Sequence, residues 1–202
     1  MQGKLACVTS AAKIPGPRAN LADLLAIPEE ARRHELIDGS IVEKGTASGE
    51  HGAAQRKLSE LIGPFERRPG GRWPGGWWFA TEVEISFDEI NTFRPDIVGW
   101  RRDRVPERPR GTPIAVRPDW VCEILSTNRR NDLVRKKRGY HRFEVPYYWI
   151  LDPDEATLMV YRWSETAYLE ILAAERGDRV KAEPFEAIEM EVGVLFGDED
   201  ED

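Results

Sequence analysis

A mixed α/β domain, α+β in the grouping of its strands, is predicted by three features of the sequence. Apolar patterns of helical and strand period follow one another as helix, strands, helix, strands, which calls for a mixed central β-sheet flanked by helices. The run Trp120-Val121-Cys122-Glu123-Ile124-Leu125 is apolar at both parities, as expected of a central strand covered on both faces. With 202 residues, 41% of them hydrophobic and 32% charged, the chain is long enough for one well-buried core and short for two.

The elements follow from local signals. Residues 1–19 lack periodicity and are expected as a flexible N-terminal segment. Asn20 then caps a short apolar helix through Leu21, Leu24, Leu25 and Ile27, with Pro28 near its end. Glu35-Leu36-Ile37, an Asp38-Gly39 turn and Ile41-Val42 read as an additional β-hairpin. Ser48 is the N-cap of a longer helix whose apolar face is Ala54, Leu58, Leu61 and Ile62, ended or kinked by Gly63-Pro64. Residues 70–76 form a glycine-rich turn, and no GxxxxGK[ST] phosphate loop is present.

Residues 77–87, 94–100 and 118–126 have strand composition, and the arginine- and proline-rich stretch 101–117 reads as a surface loop. Helical spacing returns over 132–144. Residues 147–151, 157–163 and 168–172 read as a C-terminal β-meander, its first turn marked by Asp152-Pro153-Asp154. A single domain is expected over 20–196, followed by an acidic tail over 197–202.

Composition removes several classes. No apolar run is long enough to span a membrane, and no signal-peptide pattern opens the chain, so a cytoplasmic protein is the expectation. Cys7 and Cys122 lie far apart with no CxxC or zinc spacing, which fits a reducing compartment and makes Cys122 a small core residue. The net charge of −7 is unevenly spread. Nine of the 36 acids fall after residue 181 with no base among them, leaving 27 acids against 29 bases. Such a basic body is compatible with a polyanionic partner or with a solvated arginine-rich surface. Ser10-Ala11-Ala12-Lys13 matches SxxK without its partner motifs, and His34-Glu35 lacks the second histidine of HExxH.

Two carboxylates interrupt apolar strands: Asp96 in Arg94-Pro95-Asp96 and Glu123 between Val121 and Leu125 on one strand face. An ionised acid there costs several kcal/mol (about 3–5) unless it is paired or holds a metal, so Glu123 calls either for an arginine or for a cation. In the following helix Leu133, Tyr140 and Phe143 define an apolar stripe, and Lys136 falls inside it. Lys136 therefore either meets an anion or snorkels to the stripe's edge. Lys137 points well away, at about 100° per residue, and Arg135, Arg138 and Arg142 take the solvent side. His51 shares the face of Ala54 and Leu58, as a core histidine or as a site residue. Glu50 is explained by the favourable place of an acid in a first helical turn. Asp, Glu and Lys beside a basic surface are the inventory for metal-assisted phosphodiester hydrolysis, with carboxylates holding Mg²⁺ and a lysine steadying charge on the phosphate.

Arg94-Pro95-Asp96, Glu123-Ile124-Leu125-Ser126, Asp132-Leu133 with Lys136 and Tyr140, and Val145-Pro146-Tyr147-Tyr148-Trp149-Ile150-Leu151-Asp152-Pro153 occur in one order, after Glu35-Leu36-Ile37-Asp38-Gly39 and Glu50-His51-Gly52. In this the chain resembles a restriction-endonuclease-like bacterial family of the PD-(D/E)XK nuclease superfamily. The resemblance implies a restriction-endonuclease-like mixed sheet, Asp96 and Glu123 as ligands of Mg²⁺ (or Mn²⁺), and Lys136 as a catalytic lysine moved to the helix. The superfamily's usual lysine position, two residues after the acid, holds Leu125. His51, Glu50 and Tyr140 are candidate supporting residues.

The function expected is that of a metal-dependent endonuclease acting on DNA. The alternative is a catalytically weak nuclease-fold module that binds nucleic acid or regulates. A homodimer is expected from the aromatic meander, which would expose one face unless something covers it.

Overall fold

The computed structural model describes residues 18–126 and 129–199. Residues 1–17, with Cys7 and the SxxK match, and residues 200–202 of the acidic tail lie outside the described residues. Helix α1 (Leu21–Leu25) starts at Asn20, whose side chain accepts from the Asp23 amide while Asp23 returns a bond to Asn20. The hairpin forms as read: β1 (His34–Ile37) pairs with β2 (Ser40–Glu43) around the Asp38-Gly39 turn. Helix α2 (Gly49–Ile62) is capped by Ser48, whose hydroxyl accepts from the His51 amide, and it buries His51, Ala54, Leu58 and Ile62.

The expected strand over 77–87 is instead two strands in two sheets. β3 (Trp77–Thr81) and β4 (Ile85–Asp88) are separated by Glu82, whose φ of 55° turns the chain out of one sheet. The strand expected over 94–100 starts later, as β6 (Ile97–Arg101) of the large sheet; Arg94-Pro95-Asp96 joins it to a short strand not expected from the sequence, β5 (Asn91–Phe93), in the small sheet. β7 (Trp120–Ile124) follows the arginine-rich loop.

The helical stretch after β7 departs from the expected pattern. Asn131–Lys136 is a π-helical turn, and α3 (Lys137–Arg142) continues it. The wider turn buries Asp132, Lys136, Gly139 and Tyr140, leaving Leu133 and Phe143 half-buried. Arg138 and Arg142 face solvent as expected. Arg135 does not, being half-buried with a guanidinium N–H donated to the Ile37 carbonyl. The meander is β8 (Tyr147–Asp152), β9 (Thr157–Trp163) and β10 (Tyr168–Glu175), followed by a β11 (Arg179–Val180) and β12 (Met190–Glu191) pair and α4 (Val192–Leu195).

The large sheet runs β10-β9-β8-β7-β6-β3, parallel only between β7 and β8, and the small one runs β2-β1-β5-β4. β7 is central and covered on both faces. Trp120, Cys122 and Ile124 join α2, Phe185 and Met190 in one core, while Val121 and Leu125 join Phe93, Tyr140 and Tyr148 in the other. Leu125 is thus core packing. The meander's aromatics are covered by the chain itself: Tyr148 packs 5.3 Å from Tyr140, and Trp149 packs 5.6 Å from Phe185. Of the meander's six aromatics, Tyr148, Trp149 and Tyr161 are buried, while Tyr147, Trp163 and Tyr168 are half-buried, so the exposed face is smaller than expected. At the acidic C-terminal end, Asp198 pairs with Arg176 at 2.9 Å.

Candidate active site

β6 and β7 pair from Ile97 opposite Cys122 to Gly99 opposite Trp120, so the ladder opens at Asp96. There Asp96 Oδ2 accepts the Ile124 amide at 2.6 Å, a side chain taking the place of a ladder carbonyl. The same residue meets Lys44 Nζ at 2.7 Å through Oδ1 and lies 3.3 Å from His51 Nε2 through Oδ2. Burial alone would raise the Asp96 carboxyl, but His51, Lys44 and Lys136 together hold it well below the usual carboxylate range.

Glu123 projects from the face of β7 that α3 covers. Lys136 Nζ lies 2.8 Å from its Oε2, and the Tyr140 hydroxyl donates to its Oε1 at 2.7 Å. Lys136 also meets Asp132 at 3.0 Å, one turn back, and Glu35 at 3.1 Å, from β1. Neither snorkelling to an edge nor an arginine partner for Glu123 is realised: the lysine is 1% exposed and surrounded by three acids. Burial would lower the Lys136 ammonium, yet Asp132, Glu123 and Glu35 push it well above the usual lysine value. Burial pushes Glu123 well up against the pull of Lys136, and raises Asp132 in the same way. The Tyr140 phenol is raised well above its ordinary value by burial and by Glu123.

These groups line a cavity of about 460 Å³. Asp96, Glu123, Lys136 and His51 all reach it, and Tyr140 stands behind Glu123. Glu50 does not. It is exposed, and its carboxylate is lowered by its own backbone amide and the Ser48 hydroxyl at the helix start. Lys137 points away, its ammonium 3.3 Å from the centroid of the Tyr161 ring.

Several pocket residues escaped the sequence reading. Glu35 accepts the Arg94 amide at 2.7 Å as well as facing Lys136. Its signal was an acid at the parity of Ile37 in an apolar strand. Asp132 stood in a quoted motif without a role. Lys44, just past β2, also reaches Glu82 at 2.8 Å and the Arg94 carbonyl at 2.9 Å. No local pattern distinguished it, because Asp96 and Glu82 come to it only when the two sheets meet.

The lining fits a hard divalent cation. Six acidic side chains stand beside four lysine and arginine side chains, and burial raises three of the acids, Glu82, Glu123 and Asp132. Among the described residues no three His, Cys, Asp or Glu side chains form a ready metal cage.

A family model described as "Uma2: Putative restriction endonuclease" matches residues 21–193. No curated protein matches the sequence. Among solved structures, one titled as "a putative nuclease belonging to DUF820" from Anabaena variabilis is similar in fold. Its TM-score is 0.69 at 24% identity, covering 88% of this chain and 97% of that one.

Proposed function

The chain belongs to the family "Uma2: Putative restriction endonuclease", and from that premise we propose that residues 20–196 act as one metal-dependent endonuclease unit on DNA. The observation that carries the reading is that Asp96, at the open end of the β6–β7 ladder, and Glu123, on β7, line one cavity. Asp96 and Glu123 would hold Mg²⁺ or Mn²⁺, which when bound supplies Lewis acidity toward a phosphate oxygen. Asp96, kept ionised by Lys44 and His51, is ready to ligate throughout the neutral range.

Lys136 stands in the cavity wall, where it offsets the charge of Glu35, Asp132 and Glu123 and fixes the Glu123 carboxylate, its ammonium held by all three acids at 1% exposure. Lys44 is 18% exposed on its side chain and faces the cavity beside Asp96. It is therefore the cation placed to meet a phosphodiester oxygen, the part expected of Lys136 from the sequence. Cleavage of both strands of a duplex would suit a homodimer, and light scattering at micromolar concentration decides its mass.

The test combines binding with cleavage. Mn²⁺ is expected to bind wild type in titration calorimetry, to raise its thermal midpoint and to support plasmid cleavage, and Asp96→Asn is expected to abolish all three. No Mn²⁺ binding to wild type would sink the metal reading. Binding without cleavage would favour the catalytically weak nucleic-acid-binding module, which the Leu125 substitution in the strand already suggests.

A further inference from the structure

We infer that a groove along β3 carries the nucleic-acid strand flanking the scissile phosphate, leading from the acidic cavity to an arginine patch with Trp73 at the far end of α2. The inference rests on the nuclease reading and names where its polyanionic substrate lies.

Tryptophan exposure is the first observation. Trp77, Trp100, Trp120 and Trp149 are buried, whereas Trp73 is 46% exposed on the glycine-rich turn, with Arg72 5.3 Å from its ring centroid. An exposed ring is a stacking platform for a base, whatever its sequence.

Charge is the second. Residues 66–76 and 101–110 hold eight arginines against Glu66, Asp103 and Glu107, with Arg101, Arg104 and Arg108 paired to Asp103, Asp119 and Glu66. The two loops are tied together, the Arg102 amide donating to Gly76 at 2.9 Å and the Gly76 amide to Arg67 at 3.0 Å. Some of these cations have structural work at the free edge of the sheet. Arg102 and Arg108 donate to the carbonyls of Trp77 and Phe79 and stack on Trp78. Others do not: among the described residues, the side chains of Arg67, Arg68 and Arg110 form no ion pair. Burial and the neighbouring Arg108 and Arg68 hold the Arg102 guanidinium below its usual value, a sign of crowded like charge.

Continuity is the third. Gly63 and Glu66 are shared by the hollow that holds Arg67 and Trp73 and by a second one beside Ser59 and Thr81. Thr81 precedes Glu82, and the Ser59 hydroxyl donates to the Gln55 carbonyl at 2.7 Å; Glu82 and Gln55 both line the acidic cavity. From Gln55 to Gly63 the helix rises about 12 Å at ~1.5 Å per residue. That is the reach of roughly three to four steps of a strand at ~3.4 Å each.

The test is fluorescence anisotropy in metal-free buffer with oligodeoxynucleotides of about 4 and about 16 nucleotides, the range of short single-strand sites. The Arg67→Ala/Arg68→Ala double variant is expected to flatten the salt dependence of long-oligonucleotide binding by about 1.4 in log–log slope. Trp73→Ala is expected to weaken that binding about tenfold. Neither variant should change binding of the short oligonucleotide, and wild-type thermal midpoints confirm that both fold. Variants that bind the long oligonucleotide with wild-type affinity and slope overturn the groove and leave the nuclease reading standing. Wild type that binds neither oligonucleotide overturns both.

Discussion

Lys44 and Lys136 bring the same charge to one cavity in opposite surroundings. Lys136 is sealed among Glu35, Asp132 and Glu123, so replacing it by an apolar side chain leaves three buried acids with no cation. Lys136→Met should cost about 3–5 kcal/mol, which for a chain of this size lowers the thermal midpoint by roughly 6–20 °C. Lost activity in that variant would therefore report unfolding as much as chemistry. The Lys44 side chain is 18% exposed where Lys136 is sealed, so Lys44→Ala should cost less stability while lowering the single-turnover cleavage rate by ~10²–10³. Lys137→Ala, which removes only a cation from the Tyr161 ring, is the control and should leave the rate unchanged. A wild-type rate in Lys44→Ala, or equal losses from Lys44→Ala and Lys137→Ala, would refute the assignment to Lys44.

At the scale of elements, the position of α3 depends on one missing side chain. A Cβ on Gly139 would stand 2.6 Å from the Phe93 ring, itself fully buried and 5.2 Å from Tyr140. Two effects oppose each other. Alanine favours a helix over glycine by about 1 kcal/mol, whereas overpacking a closed core costs about 1–3 kcal/mol. Phe93 is wedged against Phe87 and Tyr140 and has no room to retreat, so the clash should win. Gly139→Ala is expected to lower the unfolding free energy from urea titration by a net ~1 kcal/mol, and an unchanged or higher midpoint would show that the ring gives way. The same element explains why the sequence placed Lys136 correctly but misplaced its neighbours. The apolar stripe marked the buried face, but the π-helical turn, which period counting does not reveal, brought Asp132 to the buried position in place of Leu133.

Across the whole molecule, the packing of helices, meander and C-terminal segment around one sheet has a titration signature. All five tyrosines are raised: Tyr140, Tyr148 and Tyr168 well above their ordinary value and Tyr161 to about 12, in each case by burial first, and Tyr147 by burial and then Glu183. A phenol raised in the folded state favours folding while it keeps its proton. That contribution is complete below the unfolded value near 10 and is lost as pH rises through the folded value. The near-ultraviolet phenolate band should therefore stay small at pH ~10 and appear together with loss of structure at about pH 12 and above. A band that grows to full size near pH 10 with circular dichroism unchanged would contradict the burial described here.

Sequence alone determined what depends on period and parity. It gave Glu123 its place on a doubly covered strand, Lys136 its buried face, the Asp38-Gly39 hairpin its turn and α2 its Ser48 cap, because each is written within one element. Tertiary structure decided what depends on pairing between elements. Glu82 at positive φ divided an apparent single strand between two sheets, and their meeting brought Lys44 to Asp96, 52 residues away. The small sheet likewise supplied Glu35 to Lys136, about a hundred residues on, completing a charge cluster of which the sequence showed two members. A local pattern records which side of an element is buried; which charge lies opposite is set by sheet order.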